Sequence, residues 1–268
     1  MRVLLATLAV LAASYLAVAL LVYFQQRTLL YRRNAQRTAP AEAGLVNVEN
    51  HEIATPDGER LVVWWSPPQR GRPTVLYFHG NAGTLADRTE RFAFYQAQGF
   101  GVLFVSWRGY GGSTGSPSEQ GLLTDAGTAY DWLVSQGVAS ASICVVGESL
   151  GSGPATALAT TKPVAALALE APYSSMVETA TFHYPWLPVS LMLHDRYESA
   201  ARIGGLKAPL LVVHGTADQV VPYALGKKLY EAAPEPKRMI TVDGADHMDV
   251  FSPPTWAEEA KLFLSAAR

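Results

Sequence analysis

Ile143-Cys144-Val145-Val146-Gly147-Glu148-Ser149-Leu150-Gly151 is the stretch on which the fold turns. It opens on a short apolar run of the kind found in strands buried on both faces. Beyond it, Leu150–Thr161 is rich in Ala, Gly, Ser and Thr and reads as a helix of small residues. Between the two lies Gly147-x-Ser149-x-Gly151. A strand that passes into a helix through so tight a turn presses the positions two before and two after the serine together. Glycine at 147 and 151 removes the side chains that would collide. Ser149 then sits in a strained conformation at a helix N-terminus, where the dipole favours negative charge. The competing reading is an ordinary Gly-rich turn with a capping serine. The strand before it and the helix after it favour Ser149 as a nucleophile.

Outward from this turn the chain alternates. Thr74–His79, Gly101–Ser106, Ile143–Gly147, Val164–Glu170, Leu210–His214 and Met239–Val242 are short apolar runs that read as strands. Leu85–Gln98, Gly121–Gln136, Leu150–Thr161 and Trp256–Ala267 read as helices, the first two each closed by a glycine, Gly99 and Gly137. Such an alternation predicts an α/β protein with a mostly parallel central sheet and helices on both faces. Val48–Thr55 and Leu61–Trp65, joined by Pro56-Asp57-Gly58, form a hairpin that adds antiparallel strands at one edge. Residues 173–205 interrupt the alternation with Tyr173, Phe182, Tyr184, Pro185, Trp186, Pro188 and Tyr197. A segment this long between strands is usually functional, and we expect a short lid or pocket wall there.

A serine hydroxyl needs a base, and the base needs an acid that fixes its tautomer. Of the six histidines, His51 precedes the parallel part of the sheet, and His79 and His214 end strands before a glycine. His183 and His194 fall in the lid segment. His247 follows the last strand in the polar loop Asp243–His247, at the carboxyl edge where such sheets place their chemistry. Asp218, just beyond the strand ending at His214, is the expected acid. Asp243, Asp246 and Asp249 read as surface loop acids. The order is then Ser149, Asp218, His247. An oxyanion formed at Ser149 needs fixed donors. The N–H of Leu150 is one, and the N–H of Asn81, in the loop His79-Gly80-Asn81-Ala82-Gly83, is the other, with Ala82 in reserve. His79 is expected to hold that turn, Arg108 to anchor the Gly109–Gly115 loop, and Cys144 to be a buried apolar filler.

The 268 residues are 49% hydrophobic, enough for one well-filled domain. Residues 1–40 carry five Arg and no Lys, Asp or Glu, leaving 16 basic against 23 acidic residues in the remainder. An acidic body argues against a nucleic-acid partner. A single cysteine excludes an internal disulfide and a multi-Cys zinc site. No metal or cofactor is called for. Val3–Phe24 is free of charge. As a helix it rises roughly 33 Å, close to the ~30 Å of bilayer hydrocarbon. We read residues 1–26 as a single-pass transmembrane anchor, 27–45 as a linker and 46–268 as the catalytic domain. A long signal peptide cut near Ala17-Val18-Ala19 is the alternative. Arg27, Arg32, Arg33 and Arg37 after the span, against Arg2 and the amino terminus before it, place the body on the cytoplasmic side. Tyr23 and Tyr31 are expected at the membrane interface.

Taken with Phe78–Gly83, Trp107–Ser113, Gly147–Gly151, His183–Pro188, His214–Asp218 and Gly244–His247, the chain resembles the α/β-hydrolase superfamily over about 200 residues. It is most similar to the small membrane-anchored α/β-hydrolase-domain serine hydrolases. The resemblance implies a serine esterase or thioesterase acting on a small acyl substrate, lipophilic if the aromatic lid and the anchor are read together. The chain lacks the triple-glycine oxyanion loop of some lipases. Two other readings compete. A prolyl-oligopeptidase-like peptidase calls for an acid that binds a chain end, for which Glu170 and Glu178 are the nearby candidates. A non-catalytic membrane-tethered binding protein has no need of Ser149, Asp218 and His247 in that order.

Overall fold

The computed structural model describes residues 1–267. Helix α1 (Arg2–Leu30) comes first, then β1 (Glu49–Ala54), β2 (Arg60–Ser66), β3 (Thr74–Phe78), α2 (Thr89–Ala97), β4 (Gly101–Val105) and α3 (Glu119–Ser135). Next are β5 (Ile143–Glu148), α4 (Ser152–Thr161) and β6 (Ala166–Glu170), followed by the short helices α5 (Met176–His183), α6 (Val189–Met192) and α7 (Ser199–Arg202). The chain ends with β7 (Leu210–Gly215), α8 (Tyr223–Ala232), β8 (Lys237–Val242) and α9 (Pro253–Ala266).

The strands form one sheet in the order β1-β2-β4-β3-β5-β6-β7-β8. The first hairpin is antiparallel and its inner strand β2 runs antiparallel to β4, whereas all remaining pairs are parallel. This is the mostly parallel α/β sheet expected from the alternation, in the α/β-hydrolase fold that the resemblance implies. The period of two along each strand sorts the core into two layers. Leu76, Phe78, Leu103, Val105 and Val145 pack with Leu122, Ala126, Ala155 and Leu158 of α3 and α4. Val75, Tyr77, Val102, Phe104 and Val146 pack with Phe92 and Tyr95 of α2 and with Trp256 and Phe263 of α9. β3 to β7 are buried throughout, which is why they read as unbroken apolar runs.

Four sequence expectations need correction. Leu85–Gln98 is not one helix: Leu85–Arg88 is a 3-10 turn, with Thr84 N–H donating to Asp87 Oδ2 at 2.6 Å, before α2 begins. Helix α8 was not expected. It follows Pro222 and packs Leu225, Gly226, Leu229 and Tyr230 on the body, an amphipathic stripe that the reading of apolar runs passed over. The lid segment is partly core, because Tyr173, Tyr197 and Ile203 are fully buried. Tyr31 does not face an interface. It is buried in the body, with its hydroxyl 2.9 Å from that of Tyr197. Helix α1 continues past residue 26 to Leu30 because Gln25–Leu30 contains no breaker. Residues beyond it run along the body, where Arg32 N–H donates to Asn81 O and Gly111 N–H to Asn34 O.

Candidate active site

The turn after β5 has the tightness its glycines imply. A Cβ on Gly151 would lie 2.2 Å from Phe78 O, and one on Gly147 2.7 Å from Ser152 Cα. Ser149 takes φ +47°, the left-handed region that a non-glycine residue holds only when its surroundings force it. Its hydroxyl is thereby presented at the carboxyl edge of the sheet.

Two other loops reach the same edge. Those after β7 and β8 are laced together: Thr216 N–H donates to Val242 O at 3.1 Å, Ala217 N–H to Ala245 O at 3.0 Å, and Gly244 N–H to Thr216 Oγ1 at 2.8 Å. Gly215 allows this approach, since a Cβ there would meet Ala245 O at 2.3 Å. The outcome is a chain of side chains. His247 Nδ1 lies 2.7 Å from Asp218 Oδ2, and His247 Nε2 lies 3.0 Å from Ser149 Oγ. A carboxylate only accepts, so Nδ1 carries the proton and Nε2 turns its lone pair to the serine hydroxyl. All three residues are buried.

Asp218 is held from every side. Val220 and Val221 N–H groups each donate to Oδ1 at 2.8 Å, and His214 Nε2 lies 3.2 Å from Oδ2. Burial alone raises a carboxyl pKa. Here the hydrogen bonds from His214, His247 and the Val221 amide outweigh it, so Asp218 stays ionised well below the usual carboxylate range. His214 thus positions the acid. It is wedged against α8, where a Cβ on Gly226 would fall 2.0 Å from its Nδ1.

Asn81 and Leu150 line one cavity with Ser149. The Asn81 N–H shares its peptide plane with Gly80 O, which is bonded to His79 Nδ1, and the carbonyls of Asn81 and Leu150 are also held. Asn81 O accepts from Tyr110 Oη at 3.0 Å and from Arg32 N–H at 3.1 Å, and Leu150 O accepts from Tyr173 Oη at 3.0 Å. Asn81 Nδ2 donates to Leu30 O at 3.2 Å. His79 braces the loop from below: Nδ1–H donates to Gly80 O at 2.7 Å, and Nε2 accepts from Trp107 N–H at 3.3 Å. Burial, with the nearby Arg88 cation, pushes its pKa down to about 3, so the ring is neutral.

Sequence reading passed over Glu148, the variable residue before the serine. Its carboxylate accepts from Arg88 Nη2 at 2.7 Å, from Gly80 N–H at 3.2 Å and from the Tyr77 hydroxyl. It therefore clamps the Asn81 loop to the turn that carries Ser149. Burial raises its pKa, but the Arg88 charge prevails and holds it at about 2. Arg108 anchors its loop by paired bonds to Asp57 and Asp125, and Cys144 is buried. Asp243, Asp246 and Asp249 are exposed, though Asp246 Oδ1 accepts from Gln219 and His247 N–H groups and so braces the histidine loop. Glu170 and Glu178 do not serve as chain-end acids. Glu170 is fully buried against Arg91 and Glu178 binds Lys228, and neither lines the cavity beside Ser149.

A serine on a strained turn after the central strand, with an acid and an imidazole in the loops that follow β7 and β8, defines the α/β-hydrolase class. The chain belongs to that superfamily. A family model for the α/β-hydrolase fold matches residues 73–199. Rv2307c, an uncharacterised protein of Mycobacterium tuberculosis, is 42% identical over 87% of this chain and 84% of its own length. The lysophosphatidylserine lipase ABHD12 of Danio rerio is 30% identical over 75% of this chain and 62% of its own. An α/β-hydrolase of Vibrio vulnificus superposes with a TM-score of 0.74 at 24% identity, over 92% of this chain and 93% of that one. A Pyrococcus furiosus esterase does so at 0.70 with 19% identity, covering 88% and 97%.

Proposed function

We propose that this protein is a membrane-anchored serine hydrolase that cleaves a carboxylic ester or thioester through an acyl-Ser149 intermediate. Residues 1–26 serve as the anchor, 27–45 as a connecting arm and 46–268 as the hydrolase domain. His247 Nε2 takes the hydroxyl proton as Ser149 Oγ attacks the carbonyl carbon. Asp218 holds the imidazole in place and stabilises the imidazolium. The oxyanion accepts hydrogen bonds from the Asn81 and Leu150 amides. As the bond to the alcohol or thiol breaks, the leaving group takes the proton from His247. Water, deprotonated by the same imidazole, then attacks the acyl carbon and frees the acid and Ser149.

The observation that carries this reading is the unbroken relay Asp218, His247, Ser149, with contacts of 2.7 and 3.0 Å, opening on an apolar cavity. The walls of that cavity include Leu30, Met176, Leu187 and Val189, and suit a hydrocarbon tail better than a peptide. That one relative is a lipase for a monoacyl lipid supports the same substrate class. The direct test is labelling by a fluorophosphonate probe. We expect covalent modification of the wild-type protein, loss of it in Ser149→Ala, and turnover of p-nitrophenyl esters that disappears with the label. An unlabelled wild-type protein, or esterase activity that survives Ser149→Ala, overturns the reading.

A further inference from the structure

We propose that the N-terminal helix is a wall of the acyl site as well as an anchor, and that the substrate is a long-chain acyl ester resident in the membrane, whose tail reaches Ser149 sideways from the leaflet between this helix and the lid. The proposal rests on the ester-hydrolase reading and adds the substrate class and its route.

The cavity beside Ser149 is lined by Val22, Tyr23, Gln26, Leu29 and Leu30 of α1. Without the helix that side is open. Its inward face is a stripe: Ala19, Val22, Tyr23, Gln26 and Leu30 are the less exposed positions of the span, at helical spacing, while Val10, Leu21 and Phe24 face outward. Specific bonds hold the stripe to the lid. Gln26 Nε2 donates to Met192 O at 3.2 Å, and His194 N–H donates to Gln26 Oε1 at 2.8 Å. Arg27 pairs with Asp195 at 2.9 Å. Tyr15 Oη donates to Trp186 O at 3.0 Å, with the two rings edge to face.

That last contact sets the depth. Tyr15 lies nine residues inside Phe24, the end of the charge-free run, or about 13 Å along the helix axis. A helix that spans the bilayer through that run carries the lid tip at Trp186 below the headgroups. The lid is built for that position. From Thr179 to Leu193 it contains no Asp, Glu, Lys or Arg. Phe182, Tyr184, Trp186 and Leu191 are exposed there, Leu191 to 86%. An aromatic, uncharged patch beside an apolar helix is a membrane-facing surface, not a water-facing one. A lipid tail in the leaflet then meets the cavity without crossing water.

The full-length protein in phosphatidylcholine vesicles tests this. Val22→Trp fills the cavity from the helix side. We expect it to lower the ratio of kcat/KM for p-nitrophenyl decanoate over acetate by about tenfold or more, the scale on which an apolar pocket discriminates hydrocarbon length. Leu21→Trp, on the outer face, leaves both values unchanged. A ratio that does not move, or an equal fall for both esters, overturns the wall. Bromine-labelled phosphatidylcholine tests the depth independently. Part of the tryptophan emission should be quenched in the wild type, and that part should vanish in Trp186→Phe; equal quenching in both overturns the immersed lid. Loss of Ser149 labelling marks failure of the hydrolase reading itself. Ser149-dependent turnover with an unmoved ratio marks failure of this inference alone.

Discussion

At the scale of single residues, the Asp218 carboxylate accepts from two backbone amides and from His247, with His214 Nε2 3.2 Å away, so it is fixed before any substrate arrives. Asp218→Asn keeps the size and replaces an acceptor with a donor, which favours the wrong tautomer of His247. We expect kcat on an ester substrate to fall on the order of 10³–10⁴-fold while Ser149 and the fold remain in place. Steady-state kinetics with circular dichroism as a control checks it. His79 carries a different consequence. Its ring is neutral at a pKa of about 3 in the folded protein, against 6.5 in the unfolded chain. Below pH 6.5 the unfolded state takes up a proton that the folded state refuses, so stability present above that pH is lost as the pH falls towards 3. The limiting slope from this one group is about 1.4 kcal/mol per pH unit. Urea unfolding between pH 6.5 and 4 should show the loss in the wild type and a flatter profile in His79→Gln. Ser149, Asp218 and His247 were legible in the sequence because each follows a recognisable strand. Glu148 was not, because its partners Arg88 and Gly80 are brought to it by packing across 60 and 68 residues, and His214 was read only as a strand end.

At the scale of elements, the turn between β5 and α4 is the part most tightly specified. Gly151 sits where its Cα faces the Phe78 carbonyl, so any side chain there forces β3 and the helix start apart. A backbone carbonyl cannot swing aside as a flexible side chain does. We expect Gly151→Ala to destabilise the domain by about 3 kcal/mol or more, at the upper end of overpacking costs, and to abolish fluorophosphonate labelling. Thermal unfolding of the variant checks this, and a melting temperature within a degree of wild type contradicts it. The turn was legible because glycines at 147 and 151 flank a serine between an apolar strand and a helix of small residues. The sequence specified β3 to β7 well because burial on both faces leaves an apolar run. It was weak where burial is slight. Half-exposed β8 begins at Lys237, two residues before the apolar run suggests, and the stripe of α8 is amphipathic and not an apolar run.

At the scale of the whole molecule, the distribution of charge bears on which side of the membrane the hydrolase domain lies. Four arginines, 27, 32, 33 and 37, follow the apolar run, and only Arg2 and the amino terminus precede it. Two of the four are also engaged with the body, Arg27 with Asp195 and Arg37 with Glu52, so the positive flank and the domain stay together. The positive-inside rule predicts the cytoplasmic face for both. The packing of α1 also bears on whether the helix is kept as an anchor or cut as a leader. A cut near Ala17-Val18-Ala19 removes Tyr15 and with it the bond to Trp186, leaving the exposed lid tip without its partner. We therefore expect the protein to resist alkaline carbonate extraction and to retain its first residues by amino-terminal mass analysis. Protease added to sealed vesicles whose cytoplasmic face is outward should digest the domain, while vesicles of the opposite orientation protect it. A domain protected in the first preparation reverses the assigned side. A carbonate-soluble chain beginning near residue 20 removes the anchor, and with it the ground for placing the lid within the bilayer.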